Sequence, residues 1–470
     1  MIVDLEAKSK RGENVKTEAV LIIGSGVAGI QAALDVADRD FKAYLLDSSP
    51  SIGGIMASLD KTFPTNDCSI CIEAPKMVEA LRHPNIELLT YCEVKQVEGS
   101  VGNFKVSILK KPRYIDEEKC CGCGKCTEAC PITLPSEFDY GIGNRKAVYL
   151  PFPQAVPMKN TLDPRCRKGE YRKIGSCIGT CIIDCSQCRE CQIAKCVHAC
   201  HEEGRDAVML WQKPKKIEIE VGSIIVATGF EVLKPTIKTN YGYGAYRNVI
   251  LAPQFERIQC ASGPTSGKIT RPSDNEPPKK IAWIQCVGSM DARTGIKYCS
   301  KICCAYTTKQ AMITKEHNPA VETYIFYTQL KTYGKGFWEY FQRAKELGIK
   351  YIRGRPAEIK EDPKTKNLLI EYEDLDACKP KEIRVDMVVL SSAIVPVKGN
   401  KELARTLKID LDECGFFKEK EPFSSPLGTN VEGVFLCGGC MGPRDIPESV
   451  SEASAAAAKA VSAIIRTKKV

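Results

Sequence analysis

Short apolar runs alternate with helix-length mixed segments along most of the chain. AVLII, residues 19–23, is such a run and ends at Gly24-Ser25-Gly26-Val27-Ala28-Gly29. A helical pattern over Ile30–Ala37 follows, then a second run, KAYLLD, ending at Asp47. Strand, glycine turn, helix and strand in this order predict a parallel βαβ unit. The pattern returns downstream. GSIIVATGF (222–230) reads as a buried strand, and IAWIQCVGS (281–289) as a strand entering a turn, with a helix over Ala305–Thr314. ETYIFYTQL and KYIRG read as strands on either side of an amphipathic helix, GKGFWEYFQRAKELG, whose aromatics face a core. GVFLCGGC reads as a strand before a glycine turn. A long helix follows, with Pro447 in its first turn, Glu448 and Glu452 at its positive end, and Arg466, Lys468 and Lys469 at the other.

Changes in this pattern divide the chain. The reading is an extension (1–17), a dinucleotide-binding domain in three parts (18–112, 215–262 and 398–470), an insert (113–214), a polar Pro/Gly/Ser linker (263–280) and a second Rossmann-like domain (281–397). The fold class expected is α/β.

Charge and composition narrow the function. The net charge of +9 is spread along the 470 residues, so a nucleic-acid surface is not expected, while an acidic partner subunit is compatible. The first twenty residues lack an apolar signal core, and no run of uncharged apolar residues is long enough to span a membrane. A cytoplasmic location is expected. Twenty-five cysteines in such a chain are an oxidation liability unless most bind metal.

The glycine turn is a dinucleotide fingerprint in context. Gly24 allows the tight turn, Gly26 admits the pyrophosphate, and Gly29 lets helix and strand pack closely. Asp47 is placed for the adenosine ribose. Gly53-Gly54, the Ala-Thr-Gly run with Thr228 and Gly229, and the turn at Gly438 favour FAD over NAD. Lys61 and Asp445 are candidates for tuning the flavin.

KCCGCGKCTEACP, residues 119–131, spaces Cys120, Cys123, Cys126 and Cys130 as C-x2-C-x2-C-x3-C-P. That is the bacterial ferredoxin run for a [4Fe-4S] cluster, with Cys121 spare. Cys166, Cys177, Cys181, Cys185, Cys188, Cys191, Cys196 and Cys200 follow. Together the two sets suit three cubanes, or two with spare thiols, and His198 and His201 among them read as exposed. Cys286, Cys299, Cys303 and Cys304 stand where a reductase would bind nicotinamide nucleotide, yet QCVGS lacks the remaining glycines. A non-ferredoxin [4Fe-4S] cluster is predicted there, with a dithiol or a structural thiol group as alternatives. Cys68 and Cys71 could be a dithiol, cluster ligands or a buried loop pair, and Cys437 and Cys440 are equally open. Cys92, Cys260, Cys378 and Cys414 read as packing residues.

Several stretches together resemble one family. SPSIGGIMASLDKTFPTNDCSICIEAPKMVEALRHPNIELLTYCEV, EFDYGIGNRKAVYLPFPQAVP, QCVGSMDARTGIKYCSKICC, YGKGFWEYFQRAKELGIKYIRGRPAEI and GPRDIPESVSEASAAAAKA are similar to the HdrA component of heterodisulfide reductase. The resemblance implies a thioredoxin-reductase-like FAD fold with an inserted ferredoxin-like domain, acting as an oxidoreductase subunit that splits or merges electron pairs at the flavin. It also implies partners: HdrB- and HdrC-like subunits, hydrogenase- or formate-dehydrogenase-linked donors, and ferredoxin, in a hetero-oligomeric complex. The sequence departs from the family in two places. It ends at Val470, a short version without a further ferredoxin domain, and its second cysteine run is lengthened. Relatives of this shape also serve quinone-linked sulfur metabolism and low-potential aromatic-ring reduction. Two rivals remain: an NAD(P)H-dependent disulfide reductase, which needs a second glycine fingerprint, and a zinc-binding scaffold.

Overall fold

Apolar runs that end in glycine become the strands of two parallel sheets. The computed structural model describes residues 17–164, 192–236 and 239–468. Strand β1 (Ala19–Ile23) is buried throughout and feeds helix α1 (Val27–Ala37), and β2 (Lys42–Asp47) returns beside it. Helix α2 (Ser69–Arg82) leads to β3 (Ile86–Thr90). Beyond the insert the chain forms β4 (Ser223–Val226), β5 (Val249–Leu251), α3 (Ala252–Gln259), β6 (Lys280–Val287) and α4 (Cys303–His317). It continues through β7 (Glu322–Tyr327), α5 (Phe337–Glu346), β8 (Lys350–Arg353), β9 (Met387–Ser392), β10 (Val434–Leu436) and α6 (Ile446–Lys468).

The first sheet has the order β10-β4-β1-β2-β3, all parallel. The chain winds one way from β1 to β2 and the other way to β4, so a crevice opens at the carboxyl end of β1. On one face Ala32, Ala33 and Val36 of α1 meet Ala453, Ala456, Ala457 and Ala460 of α6, all buried. Such small side chains let the two helices approach closely, which fixes where α6 begins. The other face is covered by a three-stranded antiparallel sheet of Cys92–Ser100, Asn103–Lys110 and Lys215–Val221. Lys110 pairs with Lys215 in that sheet. The insert therefore leaves and re-enters through neighbouring strands, and its two ends are held side by side.

The second sheet has the order β5-β9-β6-β7-β8, again parallel. Its central strands are nearly continuous apolar runs because both faces are covered, one by α3, α4 and α5 and the other by a three-stranded antiparallel sheet of Pro356–Glu361, Leu368–Asp374 and Lys379–Val385. Trp283 on β6 packs edge-to-face on Phe255 of α3, centroids 5.3 Å apart. β5 and α3 belong to this sheet although they precede the polar segment 263–280, so the second sheet begins ahead of the stretch that reads as a linker. A two-stranded ribbon, Phe230–Val232 with Ile394–Pro396, joins the two domains. Among the described residues no helix is long and apolar enough to cross a membrane.

Candidate functional site

The glycine turn after β1 opens a cavity of about 350 Å³ at the crevice. Steric limits explain the glycines. A Cβ on Gly29 would lie 1.8 Å from the Gly24 carbonyl oxygen, and one on Gly54 would lie 2.8 Å from the Gly26 Cα. Gly54 and Gly26 thus face each other bare, as a cradle for a flat phosphate ester requires. Gly53 is not on the cavity wall; its N–H donates to the Ser25 carbonyl at 2.8 Å and steadies the cradle from behind. Asp47 is on the wall, with one carboxylate oxygen accepting from Ser25 N and Oγ (2.8 and 2.5 Å) and the other from Ser49 N (2.7 Å). Thr228 and Gly229 line the cavity as expected. Gly439 lines it in place of Gly438, whose N–H is held by Glu452 at 2.9 Å. These residues fit a bound FAD. The cradle is bare, the ribose acid is oriented, and the start of α6, at Asp445, Ile446 and Ser449, lines the cavity with the positive end of its dipole.

The far wall is polar and was not legible in the sequence. Lys309 of α4 and Glu256 of α3, each almost wholly buried, form an ion pair on the cavity wall. Lys309 Nζ also donates to the Lys61 carbonyl at 2.6 Å, and Gln310 Nε2 donates to the second Glu256 oxygen at 2.8 Å. The backbone N–H of Asp60 donates to Glu256 at 3.0 Å. Lys61 itself lines the cavity. A fixed ammonium and a carboxylate thus lie together on the cavity wall, where their charge would act on a bound flavin as it is reduced. Asp445 also lies on the wall, but its side chain caps α6: Asp445 Oδ1 accepts from Glu448 N at 2.9 Å, and Glu448 accepts from Asp445 N at 3.0 Å.

The cysteine loop sits directly behind this wall. Ile302 and Tyr306 line the cavity, with Cys303 between them in sequence. Cys286, Cys303 and Cys304 form one buried group against Tyr306 and Leu330. Cys286 occupies a bulge in β6 with φ +57°, a conformation rare for a residue with a side chain, and Arg355 holds its carbonyl at 2.7 Å. A hydrogen bond from Cys303 lowers the Cys286 thiol to about 7, helped by Arg355 and Lys331. Cys299 is half-buried and lies outside the group of three; its sulfur accepts from Lys301 N at 3.3 Å. Lys301 in turn pairs with Glu448 and pins the loop to the start of α6.

In the insert, Cys120, Cys126 and Cys130 are buried in one cluster with Cys196 and Cys200. Asn160 Nδ2 donates to Cys126 Sγ at 3.0 Å, and Ala207 N donates to Cys200 Sγ at 3.3 Å. Sulfur atoms that accept N–H bonds in an apolar pocket suit iron–sulfur ligation. Cys121 and Cys123 are exposed. Cys166, Cys177, Cys181, Cys185, Cys188 and Cys191 lie outside the described residues. Among the described residues no three metal-binding side chains converge on one ion. His198 and His201 are exposed and pair with Glu202 and Asp206. Cys437 and Cys440 are fully buried thiols beneath the flavin turn, and burial pushes Cys440 up to about 12.

Comparison with known proteins agrees with this geometry. Residues 113–132 match the 4Fe-4S binding domain family. The chain is 47% identical over 457 residues to the HdrA-type iron–sulfur component of the CoB–CoM heterodisulfide reductase of Methanocaldococcus jannaschii, covering 96% of this chain and 66% of the relative. It is 49% identical over 450 residues to the corresponding component of the H2:CoB-CoM heterodisulfide,ferredoxin reductase of Methanothermobacter marburgensis, covering 96% and 64%. It is 46% identical over 464 residues to that of the H2/formate:CoB-CoM heterodisulfide,ferredoxin reductase of Methanococcus maripaludis, covering 97% and 67%. The chain thus spans about two thirds of the length of these relatives. Thioredoxin reductases share the fold: that of T. acidophilum superposes with TM-score 0.50 at 14% identity, over 96% of this chain and 100% of that one. That of Lactococcus lactis does so with TM-score 0.50 at 17% identity and the same coverage.

Proposed function

This chain belongs to the HdrA family of heterodisulfide reductase components, and we propose that it divides or merges electron pairs between FAD and [4Fe-4S] clusters inside a larger redox complex. The observation that carries this reading is the cysteine loop. In a nicotinamide reductase the turn after β6 would cradle a pyrophosphate; here it brings Cys286, Cys303 and Cys304 together one residue behind the flavin cavity. A flavin accepts or gives two electrons and a cluster only one, so adjacency of the two allows a pair to be parted. Residues of this chain supply the rest. Gly24, Gly26 and Gly54 would hold the pyrophosphate and Asp47 the ribose. Lys309 and Glu256 would set the charge on the cavity wall facing a bound flavin, and Tyr306 and Ile302 would separate it from the thiols behind. Cys286, Cys299, Cys303 and Cys304 would hold one cluster, which requires Cys299 to turn inward on loading. Cys120, Cys123, Cys126 and Cys130 would hold another with companions from 166–200, for two or three in the insert. The partners would be further redox subunits and a ferredoxin-type carrier.

Anoxic purification with flavin and metal analysis tests the reading. The expected result is near-stoichiometric FAD and at least about twelve irons per chain, the content of three cubanes. In Cys299→Ala the iron should fall by about four with FAD retained. Zinc in place of iron, or iron unchanged in the variant, would overturn the cluster assignment. Rapid reduction of the isolated chain by NAD(P)H would overturn the electron-dividing role in favour of a nicotinamide-dependent disulfide reductase.

A further inference from the structure

Cys68 and Cys71 take no part in the flavin or cluster sites, yet they are joined by a disulfide, with Cα atoms 5.3 Å apart. Cys437 and Cys440, which share the same spacing, are free thiols. The contrast is one of exposure. Cys437 and Cys440 are fully buried, whereas Cys71 is exposed and Cys68 half-exposed. The bond joins residues of a single helical turn, so it ties no two elements together and adds little to the fold. Cys68 is the N-cap of α2, and its sulfur accepts the Cys71 N–H at 3.4 Å. A sulfur in that position is favoured as a thiolate and so is the better leaving group. The pair is linked to the flavin cavity through one neighbouring residue. Cys68 bridges to Lys61 in an antiparallel pairing, Lys61 lines the cavity, and Lys309 holds the Lys61 carbonyl.

We propose that Cys68–Cys71 is a thiol–disulfide exchange site on the outer rim of the flavin cavity, open to external thiols. An external thiolate attacks the exposed Cys71 sulfur, forming a mixed disulfide and breaking the Cys68–Cys71 bond. Cys68 leaves as a thiolate and takes up a proton. A second external thiol attacks the mixed disulfide at the external sulfur, and Cys71 leaves and is protonated in turn. The external thiols become one disulfide and lose an electron pair, which the protein pair gains with two protons. The reverse sequence reduces an external disulfide.

The test uses the full chain, purified without oxygen and equilibrated with glutathione at graded ratios of reduced to oxidised form. Thiols are then blocked, and the peptides are mapped by mass. The peptide carrying Cys68 and Cys71 should pass from two blocked thiols to none in one transition, while Cys437 and Cys440 remain thiols. In Cys68→Ser, Cys71 should accumulate a glutathione adduct. In Cys71→Ser, the adduct should form at Cys68 instead. FAD content should match the parent in both variants, which separates this proposal from the flavin assignment. A pair that stays reduced at every ratio would overturn it. So would loss of bound metal in the double serine variant, which would make these residues ligands instead.

Discussion

Lys309 shows how far a residue's role can lie from its sequence signal. It sits in YTTKQAMITK, where a lysine in a mixed helix reads as solvent-facing, yet its ammonium is buried against Glu256. Nothing local distinguishes it, because the partner lies on another helix and only the packing of α4 between α3 and the flavin cavity brings them together. The glycines behave differently. Gly24, Gly26 and Gly54 were legible because their role is local sterics, which a motif records directly. Cys299 was placed with its group by spacing alone, and the structure leaves it half-buried outside the buried three. The ion pair makes a quantitative prediction. Lys309→Met removes one charge and strands the other, so unfolding free energy should fall by about 3–5 kcal/mol. Glu256→Met should cost a similar amount, because Lys309 is then left uncompensated. The double variant should recover most of the loss, since replacing both charges by apolar groups of similar volume is close to neutral. Denaturant melts of the four proteins complete the cycle. Additive losses in the double variant would show that the two residues do not act as a pair.

At the level of elements, pattern reading worked where polarity and exposure agree. Strands β1 and β2 begin and end where their apolar runs do, and α5 buries Tyr340 and Phe341 as expected but leaves Trp338 exposed. It was less complete for α4. The expected helix, Ala305–Thr314, is extended at both ends to Cys303–His317, and its polar Thr307, Thr308 and Gln310 are buried beside Lys309. A helix buried on all sides with polar residues inside has no amphipathic stripe to read. The first turn of α6 is a third case. Asp445 was expected to tune the flavin, and the structure gives its side chain the work of a capping box with Glu448. The two roles separate by substitution. Asp445→Ala should cost about 1 kcal/mol of stability through loss of the cap, while Asp445→Asn should stay close to the parent because an amide oxygen caps nearly as well. Thermal melts read the cap, and flavin reduction potentials read the charge. A stable Asp445→Asn variant with a shifted potential would give the residue both roles. Equal destabilisation in the two variants would deny the capping role.

For the molecule as a whole, the two parallel sheets and the cysteine-rich insert were visible in the sequence, but the seams between them were not. The strand β5 is only VIL, too short for periodicity to separate from a loop, and its pairing with β9 is formed by residues more than a hundred positions away. The docking of the insert was invisible for the same reason. Arg257 on α3 is almost completely buried and donates to Asp139 of the insert at 2.9 Å. It also donates to the Ser58 carbonyl of the flavin domain at 3.1 Å, and it lies over the Phe138 ring at 4.7 Å. Gln254 adds a bond to the Tyr140 carbonyl at 3.0 Å. One guanidinium therefore joins the insert, the flavin domain and the second domain. If electrons pass between a cluster in the insert and the flavin, as proposed, this contact would help to set their separation. Asp139→Ala leaves Arg257 buried without its counter-charge and should cost about 3–5 kcal/mol, while Asp139→Asn keeps an acceptor and should cost less. The decisive measurement is native-state hydrogen exchange. If the contact is a true three-way joint, amides of 137–143 and of α3 should lose protection together in Asp139→Ala, with the sheet around β1 unchanged. Faster exchange confined to 137–143 would mean that the insert is held from its own side alone, and that its distance to the flavin is set instead by the paired strands at Lys110 and Lys215.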